Sequence, residues 1–218
     1  MMEEIKRGFK LIRYGYGLKA NIFGGIFFFL LGTLIYLVAT DHMSVLGAVY
    51  IVLGALMVIQ IQYSLLYSNF VGASARRKTL EILVADIICI IMGILGYVIM
   101  VVGSVYKIGV SPEETQNILE SMLVSGMALP LVFVLVATSY KYFWTTMILF
   151  GTLFLMVYSG GMIFVALANL DLNIVGTSLI CLVLTVTGVL LSCVLRRALY
   201  RKTLSPTACS TGLRKAMQ

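Results

Sequence analysis

The chain has 218 residues, of which 61% are hydrophobic and 11% charged, with a formal net charge of +7 and a mean hydropathy of +1.03. That composition excludes a soluble domain around one buried core, because far more apolar surface is present than such a core could hide. A membrane β-barrel is excluded too, since barrel strands alternate apolar and polar residues and Ile26-Phe27-Phe28-Phe29-Leu30-Leu31 does not.

Residues 1–20 read as a cationic, amphipathic helix. At 100° per residue, Ile5, Phe9, Ile12 and Tyr16 fall within about 60° of one another, with Lys6, Lys10 and Arg13 beside them. Such a helix is expected to lie flat on the inner leaflet; the other reading is a basic flank that only sets topology. Tyr14-Gly15-Tyr16-Gly17 gives the chain a place to turn upward. Residues 22–195 then hold six apolar runs, at 22–39, 45–67, 81–105, 118–138, 143–167 and 174–195, each long enough to cross a bilayer at about 20 residues per span. The expected fold is all-α and polytopic, in one transmembrane domain closed by a basic tail over 196–218.

Orientation follows from the cations, which keep to the cytosolic side of short loops. Of the 16 Lys and Arg residues, every one but Lys107 precedes the first span, follows the second, fourth or sixth, or lies in the tail. Both termini are therefore expected in the cytosol. The positive charge reads as a topology signal and an attraction to anionic headgroups of the lipid bilayer, with no nucleic-acid partner. Cys89, Cys181 and Cys193 lie within spans and Cys209 in the tail, so no extracellular pair exists for a disulfide.

The turn Asp41-His42-Met43-Ser44 makes spans one and two a tight hairpin. In the inner half of span two, Gln60, Tyr63, Ser64 and Tyr67 recur at i, i+3, i+4 and i+7. That face either lines an entry for an amphipathic substrate or serves interhelical hydrogen bonding with an interfacial tyrosine. Next comes the one long polar interruption that is also densely basic, Ser68 to Glu81. Its Gly72 to Thr79 segment is not a P-loop: Arg77 stands where the second glycine belongs, and the segment follows a membrane helix instead of a strand. A short helix across the cytosolic face fits it better.

Span three carries Glu81 and, about one and a half turns in, Asp86. An ionisable residue at that depth suggests a functional role, here in a substrate path. The plainer account is acids at a helix N-terminus paired with Arg76, Arg77 or Lys78. Asp86, Cys89, Gly93, Gly96 and Gly103 share a small-residue face suited to close helix contact. The outer loop, 106–117, presents Pro112-Glu113-Glu114 as a helix start. Pro130 is expected to kink span four. Ser139 to Trp144 forms a short aromatic inner loop around Lys141. Span five places Thr145, Thr152 and Ser159 seven apart before a candidate break at Gly160-Gly161. Span six places Thr177, Cys181, Thr185, Gly188 and Ser192 on one face, suited to packing first. No catalytic constellation is present: the only histidine is His42, in an outer turn, and no acid pair is placed for acid and base work. The chain is not expected to be an enzyme.

This architecture, with Tyr67 to Leu80 as its most specific stretch, resembles the transmembrane subunits of type-2 ATP-binding-cassette transporters, in the short form encoded apart from the ATPase. The resemblance implies an ATPase-coupling loop at Asn69, Phe70, Val71, Gly72, Ala73, Ser74, Ala75, Arg76, Arg77 and Lys78. It also implies cytosolic ATPase subunits as partners, a second permease subunit, expected to be an identical copy, and no cofactor in this chain, with ATP and Mg held by the ATPase. The implied activity is export of a hydrophobic or amphipathic peptide, a toxin or an antimicrobial. Export of lipids or drug-like molecules, or a role as a channel, secondary transporter or scaffold, stays open.

Overall fold

Long apolar runs with few breakers leave the backbone one economical solution, since a helix satisfies its own amides and carbonyls without help from water. The computed structural model describes residues 3, 6, 9–10, 12–13, 18–39, 43–66, 77–139, 141–168 and 172–202, with backbone alone for 55–56, 60–66, 80, 143 and 160–168. All regular structure within these residues is helical. The elements are α1 (Leu18–Val38), α2 (Met43–Leu66), α3, α4 (Thr115–Thr138), α5 (Phe143–Ala168) and α6 (Ile174–Leu199). Helix α3 opens with a π turn over Thr79–Val84 and continues as α-helix over Ala85–Val110, and a 3-10 turn at Pro112–Glu114 leads into α4. Among the described residues, four stretches are long and apolar enough to cross a membrane: Leu18–Val38, Glu81–Val110, Pro112–Thr138 and Ile174–Leu199.

Two sequence expectations are corrected. The outer loop begins later than residue 106, because α3 runs to Val110 and takes Lys107 into its last turn. Gly160-Gly161 does not break α5, which is helical through both; a glycine costs a helix only about 1 kcal/mol, less than freeing backbone groups in an apolar setting. The proline at the start of α4 behaves as expected. In the N-terminal segment, Ile12 is buried in the core while Lys6, Phe9, Lys10 and Arg13 are exposed. Ile5 and Tyr16 lie outside the described residues.

Helix α4 fills the axis of the bundle, with 15 buried residues among its 24, and packs on α2, α3, α5 and α6. Its Ser121 and Ser125 donate back to the carbonyls of Ile118 and Ser121, which hides their hydroxyls inside their own helix. Pro130 sits within the continuous helix, and Gly188 of α6 is seated against it, where an added Cβ would lie 2.8 Å from Pro130 Cα. The whole stripe Thr177, Cys181, Thr185, Gly188 and Ser192 is buried, so it serves packing.

Helices α1 and α2 meet backbone to backbone. Gly25 faces Gly54, and Gly32 faces Gly47, seven residues apart on each helix; a Cβ at Gly32 would lie 2.6 Å from Ile51 N and 2.7 Å from Gly47 O. Only glycine permits that approach, and the two helix backbones are then held by dispersion attraction at close range. The small face of α3 meets three neighbours: Gly93 lies against Val189 of α6, Gly96 against Val52 of α2 and Gly103 against Tyr36 of α1.

Candidate functional site

The polar chemistry gathers at the end of the bundle where α3 begins and α6 ends. Glu81 lies in the π turn and Asp86 just past it, in the first turn of the α-helical part, and both are buried.

Glu81 is clamped from two sides. Arg77, one turn earlier, places Nε 3.1 Å from Oε2, and Lys141 from the α4–α5 connection places Nζ 2.9 Å from Oε1. Lys141 also donates to the Lys202 carbonyl at 2.6 Å, just past α6. The Arg77 guanidinium lies 5.5 Å from the centre of the Tyr200 ring, within cation–π range. Burial holds the Lys141 ammonium below the usual lysine range, and the Glu81 carboxylate opposes that shift only in part.

Asp86 is bound to the end of α6. Arg196, fully buried, donates Nε–H to Oδ1 at 2.8 Å and Nη1–H to Cys89 Sγ at 3.3 Å, and Arg197 brings Nη2 within 3.5 Å of Oδ2. The acids of α3 thus hold cations from three places: its own first turn, the α4–α5 connection and the end of α6. Removing one partner of a buried pair strands the other, at a cost of about 3–5 kcal/mol.

At the opposite end, Lys107 is buried and donates to the Ala39 carbonyl at 3.0 Å, and its Nζ lies 4.4 Å from the centre of the Tyr36 ring. That carbonyl lies just past α1, where helix carbonyls lack intrahelical partners and the dipole favours a cation. The Tyr36 hydroxyl pairs with Ser104 Oγ at 2.9 Å.

Of the residues singled out in the sequence, Arg77 and Lys78 are described, helical at the entry to α3; Asn69 through Arg76 lie outside the described residues. Gln60, Tyr63 and Ser64 fall in the last two turns of α2, where the backbone alone is described, and Tyr67 lies outside. The expected acid–cation pairing at the head of α3 is present for Glu81 and Arg77, but Asp86 takes its cations from α6. Sequence reasoning missed Arg196 and Lys141 as partners. A signal for Arg196 was present: it follows Ser192 by four residues, so it extends the small polar stripe of α6 by one turn. Lys141 carried no such signal, because only the fold brings residue 141 to residue 81.

Along α4 and α5 lies an apolar groove of about 240 Å3. Thr138, Tyr142, Thr145 and Thr146 line the end of it nearest the α4–α5 connection, with Thr146 donating to Thr138 at 3.1 Å. Among the described residues, no cluster of three or more His, Cys, Asp and Glu could hold a metal. No family of known proteins, no curated protein and no solved structure matches the chain.

Proposed function

We propose that the chain is the permease subunit of an ATP-driven exporter of the type-2 ATP-binding-cassette kind, with six spans and both termini in the cytosol. In this reading it pairs with a second copy and with two cytosolic ATPase subunits that bind ATP and Mg. The cargo is a hydrophobic or amphipathic peptide.

What supports the reading most is the chain of contacts Arg77–Glu81–Lys141–Lys202, two ion pairs followed by a hydrogen bond to the Lys202 carbonyl. Arg77 is among the last residues of the basic loop, and through these contacts its position is tied to α3, to the α4–α5 connection and to the end of α6. A push on that loop reaches three helices together, as a coupling element requires. The filled axis along α4 favours a cargo path between two copies over one through a single copy. Nucleotide binding then shifts the population between two arrangements of the pair.

The test is affinity purification from the native membrane, with an ATPase assay on whatever co-purifies. A nucleotide-binding subunit should be recovered, and Lys78→Ala combined with Arg76→Ala should weaken its stimulated hydrolysis while leaving the ion pairs of Glu81 and Asp86 in place. If no ATPase is recovered under gentle extraction, the permease reading is lost.

A further inference from the structure

The groove between α4 and α5 has no part in the transport reading, and exposed cations stand at the same end of the bundle as its polar lining. Its walls are apolar, built by Leu131, Val134 and Leu135 of α4 and Leu149, Phe150 and Leu153 of α5. From Thr138 to Leu131 it extends about 10 Å at 1.5 Å per residue, so it receives a segment of hydrocarbon chain. Helix α5 presents Trp144, Ile148, Leu155 and Met156 outward, which places the groove on the lipid-facing flank.

The end of the bundle at the α4–α5 connection is basic. Seven cations (Arg77, Lys78, Lys141, Arg196, Arg197, Arg201 and Lys202) stand at this end of the bundle against two carboxylates, Glu81 and Asp86. Both carboxylates are taken up by Arg77, Lys141, Arg196 and Arg197. Arg201 and Lys202 are exposed, and neither joins an ion pair among the described residues. The Lys202 carbonyl is 2.6 Å from Lys141 Nζ, and Tyr142 is the next residue after Lys141. The Lys202 backbone is therefore held against the α4–α5 connection, whose Tyr142 lines the groove.

We propose that this groove binds one acyl chain of an anionic phospholipid, with the lipid phosphate held by Lys202 and Arg201. Apolar walls alone would accept any lipid. The cations, with no acid among the described residues to neutralise them, select a negative headgroup, each by roughly fivefold near a membrane surface.

The chain has a single tryptophan, Trp144, next to the groove-lining residue Thr145, so the intact protein reports on its own groove. Reconstituted into vesicles, its fluorescence is titrated with brominated phosphatidylglycerol against brominated phosphatidylcholine. The expected result is a preference for phosphatidylglycerol of about tenfold or more. Arg201→Ala/Lys202→Ala, both at exposed positions, should bring the preference near one, and Val134→Phe, which fills the groove, should reduce quenching by both lipids. Equal quenching by the two lipids in the unaltered protein overturns the headgroup assignment. A preference that survives Arg201→Ala/Lys202→Ala overturns it as well. A preference lost with the cations but untouched by Val134→Phe reduces the effect to general surface attraction and overturns the groove. Quenching by neither lipid means that protein, such as a second copy, covers the groove, and overturns the proposal. None of these readings depends on an ATPase, so the proposal stands or falls apart from the permease assignment.

Discussion

Helix α3 carries buried charge at both ends and handles it in two ways. At its start, Glu81 and Asp86 meet full positive charges on Arg77, Lys141 and Arg196. At its finish, Lys107 rests on the Ala39 carbonyl and the Tyr36 ring. Charge against charge in a low-dielectric interior is strong but fails badly when one partner is lost. A cation on a helix end and a ring face is weaker and degrades gradually. The first arrangement ties three segments into one unit, whereas the second fastens α3 to α1.

The comparison breaks hardest at Asp86. Asp86→Ala should cost about 3–5 kcal/mol by stranding Arg196, whereas Lys107→Met should cost about 1 kcal/mol by removing a cation from a helix C-terminus. Reversible unfolding in mixed micelles reads both. Similar losses at the two sites would mean that the Asp86 pair is solvated and not a buried lock. The double change Asp86→Asn/Arg196→Met should recover much of the loss, as apolar replacement of buried pairs often does.

A second expectation concerns what holds α1 in register so that Tyr36 reaches Lys107. Gly32→Ala forces a methyl to 2.6 Å from the Ile51 backbone nitrogen and should destabilise by about 1–3 kcal/mol. Gly151→Ala on α5 meets nothing within 4 Å and should be neutral or stabilise by up to about 1 kcal/mol. Thermal unfolding that ranks these two the other way would refute the backbone-contact account of the α1–α2 pair.

The smallest effect is in pH. Lys141 has a folded-state pKa below its unfolded value, so the unfolded chain binds more protons between the two. Stability from this group therefore rises with pH through that window and is lowest below the folded pKa, where Lys141 is protonated in both states. Lys141→Met should remove this alkaline gain. A pH profile of unfolding identical in the variant and the parent would show that the Lys141 ammonium is as well solvated folded as unfolded.

How much of this was legible in the chain differs by feature. The six helices stand close to their apolar runs, because length and hydropathy decide where a backbone must close its own hydrogen bonds. The packing faces of α3 and α6 were legible too, since Gly93, Gly96 and Gly188 recur at helical spacing. Glu81 with Arg77 was within reach as an i, i+4 pair. Which cation serves Asp86 was not: Arg196 is 110 residues away, and sequence spacing carries no information across that distance.

The amino-acid sequence by itself determined the all-helical class, the helix positions and the concentration of cations, because those follow from local hydropathy, glycine spacing and charge. Only the tertiary structure decided that Glu81 and Asp86 face inward, that Lys141 and Arg196 meet them, and that a groove opens between α4 and α5. Those outcomes depend on which helix faces close against each other in three dimensions, a choice made by the summed packing of the whole bundle and not by any one stretch of chain.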